Sequence, residues 1–105
     1  MPYKRKKHIA LLQFRSVARS LGIRYRFGAT HVEIFDRRYQ YISFSSEDTY
    51  VKVRVVVPNL RELWLNVDDF GELLVKMSET NLFDPRLLDD LTAGYLVYHS
   101  LHNSR

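Results

Sequence analysis

The stretch "GATHVEIFDRRYQYISF", residues 28–44, alternates apolar and polar positions almost without a break. A period of two is the mark of strands with one face buried. Val32, Ile34, Ile42 and Phe44 fall on one side, and His31, Glu33, Phe35 and Tyr41 on the other. Arg37, Arg38 and Tyr39 interrupt the alternation as a three-residue turn. That turn sets Ile34 opposite Ile42 and Val32 opposite Phe44, apolar against apolar.

Working outward, "IRYRF" (23–27) alternates in the same way and leads into Gly28-Ala29. Glycine first suits a two-residue type II′ turn. It predicts Phe27 opposite Thr30, Tyr25 opposite Val32 and Arg24 opposite Glu33. On the other side, "SEDT" (46–49) reads as a four-residue turn, setting Phe44 against Val51 and Ile42 against Val53. Three successive hairpins thus agree on one buried face: Ile23, Tyr25, Val32, Ile34, Ile42, Phe44, Val51 and Val53.

Helical periodicity flanks this meander. Ala10, Phe14, Val17 and Leu21, with Leu11 and Ala18 beside them, predict a helix over 6–21 that ends at Gly22. Pro58-Asn59 ends the strand run. "LRELWLNV" (60–67) fits both periods, and a strand over 62–67 is favoured because "VDDF" begins a helix. Asp69 with Glu72 resembles a capping box. That helix runs to about Thr80 and buries Phe70, Leu73, Leu74 and Met77. Asp84-Pro85 supplies an N-cap and a first-turn proline for a last helix, burying Leu87, Leu88, Leu91, Tyr95 and Tyr98. The expectation is one α+β domain over 1–105. Its antiparallel meander has four to five strands, with an N-terminal helix and two C-terminal helices packed on one face.

Composition sets the bounds. The chain has 105 residues, 46% apolar and 27% charged, enough for one real core. Without cysteine it has neither disulfides nor thiolate metal sites, which suits a reducing, cytoplasmic setting. No apolar run approaches the ~18 residues of a membrane span. The charge is uneven: residues 1–54 carry a net +8 and residues 55–105 a net −4. A half this basic is a candidate footprint for a polyanion.

The predicted register arranges the open face in rows. Arg26, His31, Ser45 and Tyr50 form one, Arg24, Glu33, Ser43 and Lys52 the next, and Phe35, Tyr41 and Arg54 the third. Cations alternating with rings suit single-stranded nucleic acid: cations follow phosphates while rings stack on bases. Arg37 and Arg38 at a hairpin tip, residues 4–7 ("KRKK") and the basic N-terminal helix extend the field. The expected contact set is Arg24, Arg26, His31, Phe35, Arg37, Arg38, Tyr41, Lys52 and Arg54. The bland alternative is a polar sheet face balanced by cross-strand pairs such as Arg24 with Glu33. A second functional reading makes the chain a protein-interaction module, either a homodimer or a small adaptor or inhibitor of mobile-element type. Exposed aromatics and Arg favour interfaces, and Trp64 is its discriminating anchor.

Signs of catalysis are sparse. There is no Gly-rich phosphate loop, Gly-x-Ser-x-Gly elbow or cysteine nucleophile, so no enzyme is expected. His99 and His102 have helical spacing but too few companions for zinc, and no metal or cofactor is expected. A helix followed by "GIRYRFGATHVEI" (22–34) resembles the HicA-type mRNA interferase family. There, a helix and strand lead into a "GSHH"-like segment on a double-stranded-RNA-binding-like fold. Gly28-Ala29-Thr30-His31 matches that segment, with Ala29 and Thr30 replacing serine and the first histidine. The C-terminal half has no counterpart. The resemblance implies that His31 is a general acid/base in RNA cleavage.

Overall fold

The computed structural model describes residues 8–47, 50–55 and 60–103. Its elements run α1 (Ile9–Leu21), β1 (Tyr25–Phe27), β2 (His31–Ile34), β3 (Ile42–Glu47), β4 (Tyr50–Val55), β5 (Arg61–Asn66), α2 (Phe70–Ser78) and α3 (Pro85–Asn103). The strands form one five-stranded antiparallel sheet in chain order, and the helices pack on one of its faces. Among the described residues no helix is long and apolar enough to cross a membrane.

The central hairpin has the predicted register, Ile34 opposite Ile42 and Val32 opposite Phe44. The hairpins on either side differ from expectation by two residues. Phe27 faces Val32 and Tyr25 faces Ile34, so the first turn is Ala29-Thr30, not Gly28-Ala29. Gly28 is a strand-end residue whose N–H donates to His31 O at 2.8 Å. Its φ is not positive, so it does not serve as the first residue of a type II′ turn. What glycine provides there is space: a Cβ on Gly28 would lie 2.3 Å from Cε1 of His31. Further along, Phe44 faces Val53 and Ile42 faces Val55, because Glu47 and Tyr50 pair and the loop shortens to two residues. Those two residues, 48 and 49, lie outside the described set, as do Pro58 and Asn59. Each shift is even, so every side chain keeps its predicted face and only its neighbours change.

The ambiguous stretch 60–67 forms a strand, β5, over Arg61–Asn66 where 62–67 was expected. β5 pairs with β4 through Arg54–Glu62, Val53–Leu63, Lys52–Trp64 and Val51–Leu65. α1 begins at Ile9, because His8 is its N-cap in extended backbone. Nδ1 of His8 accepts from Ala10 N at 3.0 Å. That leaves the proton on Nε2, which donates to Val67 O at 2.9 Å. Gly22, at φ 71°, closes α1 in the left-handed conformation. Asp69 caps α2 by accepting from Glu72 N at 2.9 Å. Glu72 returns the favour to Asp68 N, one residue earlier than in a strict capping box.

The expected core residues are buried or packed against the core. Phe14 is its hub: its ring meets Phe44 of the sheet edge-on at 4.6 Å and stacks on Phe70 of α2 at 5.3 Å. Phe70 in turn meets Tyr95 of α3 at 5.6 Å. This aromatic chain ties the sheet to all three helices, each pair adding roughly 0.5–1.5 kcal/mol beyond area burial.

Candidate functional site

The open face of the sheet carries the even-numbered residues of β1, β4 and β5 and the odd-numbered residues of β2 and β3. The corrected register regroups them. One row reads Arg26, Glu33, Ser43, Arg54, Glu62, and the next His31, Ser45, Lys52, Trp64. Phe35 stands beside Arg24, since its N–H donates to Arg24 O at 3.2 Å.

The first row largely balances its own charge. Arg26 pairs with Glu33 at 3.0 Å and Arg54 with Glu62 at 3.1 Å. Glu33 also accepts from the hydroxyl of Tyr41, which with burial raises the Tyr41 phenol above its ordinary value. Tyr41 is therefore a neutral donor through the physiological range. The expected Arg24–Glu33 pair is replaced by Arg26–Glu33, as the two-residue shift requires. These pairs are solvated on the arginine side, so each contributes about 0–1 kcal/mol, and the guanidiniums keep donors to spare.

Cations also lie over rings. Arg24 and Arg26 stand 5.4 and 4.9 Å from the centroid of Phe35, and Lys52 stands 5.3 Å from that of Trp64. Among the described residues, Arg24 and Lys52 join no ion pair. Phe35 and Trp64 are 39% and 56% exposed, so both rings are open to a flat partner. Trp64 joins this surface only once 60–67 is fixed as a strand. Its even position and the β4 register then put it beside Lys52. The described side chains of the face carry four cations, Arg24, Arg26, Lys52 and Arg54, against two carboxylates, Glu33 and Glu62.

Other members of the expected set do not gather here. The Arg38 guanidinium grips the buried Asp36 through Nε at 2.9 Å and Nη2 at 2.7 Å, and reaches Gly22 O at 3.0 Å. Asp36 also accepts from Arg24 N and Arg38 N. These bonds, Arg38 foremost, hold its carboxyl well below the usual range despite burial. Arg38 therefore fastens the β2–β3 hairpin to the end of α1. Arg37 is exposed at the tip of that hairpin. Asp36 was legible as the first residue of a turn, a position that favours Asp, yet its neighbours drew the reading toward surface charge. α1 lies against the other face of the sheet, so Arg15 and Arg19 do not extend this field. Arg15 covers Phe27, 4.5 Å from its centroid. Residues 4–7 lie outside the described set. His31 rests against Gly28 and heads the row of Ser45, Lys52 and Trp64. His99 stacks on Tyr95 at 5.8 Å, and among the described residues no group of three His, Asp or Glu can hold a metal.

Comparison with protein-family models, with curated proteins and with solved structures finds no match to this chain.

Proposed function

We propose that this chain is a small, basic, non-enzymatic protein that binds single-stranded nucleic acid on the open face of its sheet, in the cytoplasm. One observation carries the reading: two exposed rings, Phe35 and Trp64, each beside a cation, Arg24 and Lys52 respectively, that joins no ion pair among the described residues, on a face that the helices leave uncovered. Rings offer every base a stacking surface, and adjacent cations meet the phosphates between bases. Arg24, Lys52, Phe35 and Trp64 form the centre of the contact set. Arg26, Arg54, Tyr41 and His31 surround it, and Arg37 lies at its margin. A cysteine-free chain loses nothing in a reducing compartment.

Fluorescence anisotropy with labelled single- and double-stranded DNA and RNA, at ~50 and ~200 mM salt, tests this directly. Single strands should bind more tightly than duplexes, and the affinity should fall steeply with salt. Arg24→Ala with Lys52→Ala should flatten the salt slope. Phe35→Ala with Trp64→Ala should weaken single-strand binding at every salt concentration. Absence of binding to all four probes at low salt overturns the reading.

A protein-interaction module is the second reading, favoured by Trp64. At 56% exposure it retains its standing as an interface anchor. Its test is quenching or a spectral shift of Trp64 fluorescence on contact with a partner.

A further inference from the structure

The two exposed rings of the open face stand apart, and the register fixes how far. Trp64 shares a row with His31, through Ser45 and Lys52. Phe35 continues the β2 ladder past Ile34, since its N–H donates to Arg24 O. It therefore lies four residues beyond His31 along the sheet, and β2 and β5 are three strands apart. Strands lie ~4.8 Å apart and rise ~3.3 Å per residue, so the offsets are about 14 Å across and about 13 Å along, and the rings stand roughly 20 Å apart on a diagonal. Ser43 and Arg54, cross-strand partners, mark the middle of that diagonal. Serine keeps the floor low there. The Arg54 side chain is 50% exposed with Nε on Glu62, so its guanidinium keeps donors for a phosphate. Arg24 and Arg26 stand at the Phe35 end and Lys52 at the Trp64 end. Cations thus mark both ends and the middle, while the carboxylates beside the path, Glu33 and Glu62, are held by Arg26 and Arg54.

We infer that Phe35 and Trp64 hold the first and last bases of a stretch of about four nucleotides laid along this diagonal, with Arg54 on the phosphates between them. The inference rests on the single-strand reading above and adds the length and path of the strand. A stacked strand advances about 3.4 Å per nucleotide, and one whose bases are parted by a ring about twice that, close to its covalent limit. Adjacent bases therefore cannot reach both rings, and a mononucleotide or dinucleotide meets one ring alone. Roughly three extended steps span the diagonal, and these join about four nucleotides. The inner bases have no ring beneath them, since the sheet between offers Ser43 and Arg54.

The test is quenching of Trp64, the chain's single tryptophan, by oligothymidylates and oligouridylates of about two to about eight nucleotides at ~50 mM salt. Affinity should rise in one step, about tenfold or more, between about three and about five nucleotides, and climb only gently beyond. Phe35→Ala should bind the shortest oligomers as the wild type does and lose the step. A second measurement leaves the protein unaltered. In the shortest oligomer past the step, an abasic unit at either end should return affinity to the level below it, and an abasic unit inside should not. Affinity that climbs smoothly with length, a step that survives Phe35→Ala, or an inner abasic unit as costly as an end one would overturn the inference while single-strand binding stands. No binding of any oligomer would overturn both.

Discussion

The Asp36 carboxylate is the most heavily bonded acid among the described residues, and its pH dependence has a definite sign. Its folded pKa is depressed, with the Arg38 side chain the largest cause. A depressed carboxylate stabilises the fold above its unfolded value, near 3.8, and that contribution is lost as pH falls toward the folded value. Asp36→Asn keeps the shape but removes the charge. Its melting temperature should lie below that of the wild type at neutral pH, with the gap closing in scans below about pH 4. Gly28 poses a different test. Its φ is not positive, so alanine fits the backbone, and the obstacle is the His31 ring. Gly28→Ala should be destabilising in the wild type. In a His31→Ala background it should be neutral or stabilising by roughly 0.5 kcal/mol, since alanine restricts the unfolded chain. A double-mutant cycle by urea denaturation measures that coupling. Alternation in the sequence put His31 on the correct face. It carried no sign that the ring lies on Gly28, because a close approach of ring to backbone leaves no periodic trace.

At the scale of elements, the helices were the most legible. Their apolar stripes, the terminal Gly22 and the Asp69 cap follow from local rules, and the structure reproduces them. The central hairpin was legible in both face and neighbour, the two beside it in face but not in neighbour. Moving a turn by one residue, or shortening a loop by two, moves each cross-strand partner by two and leaves the apolar side apolar. The candidate site depends on neighbours. Hence Lys52 was expected beside Ser43, in the row of Arg24 and Glu33, while the structure sets it beside Ser45 and Trp64. The start of α1 was misplaced because His8 is an unusual cap, and its second bond joins Val67, 59 residues away. His8→Ala removes both the cap and the tether. It should cost about 1–2 kcal/mol, and protection of the first amides of α1 from hydrogen exchange should fall with it. A variant that keeps full protection at Ala10 would show that the ring is dispensable.

At the scale of the whole molecule, the aromatic chain through Phe14 makes sheet and helices one cooperative unit. Phe14→Ala removes contacts to Phe44 and Phe70 together, and should destabilise by roughly 3–5 kcal/mol. Thermal unfolding followed by sheet and by aromatic signals should remain coincident in any variant that still folds. The two halves of opposite charge meet on the open sheet face, where β5 brings Glu62 to Arg54. The segregation of charge along the chain is therefore only partly a segregation in space, which composition could not reveal.

The strand order has a consequence for the way the chain is made. Each strand pairs with the one before it in sequence, so every hairpin can close soon after it leaves the ribosome, without waiting for distant partners. Among these elements α3 leaves the ribosome after all the others, yet its Leu87 and Leu91 belong to the same core as α1, the earliest of them. The nascent chain thus holds a sheet and two helices with part of their apolar sides uncovered until α3 emerges. Resistance to protease should arrive late and abruptly on stalled chains, with the emergence of Leu91.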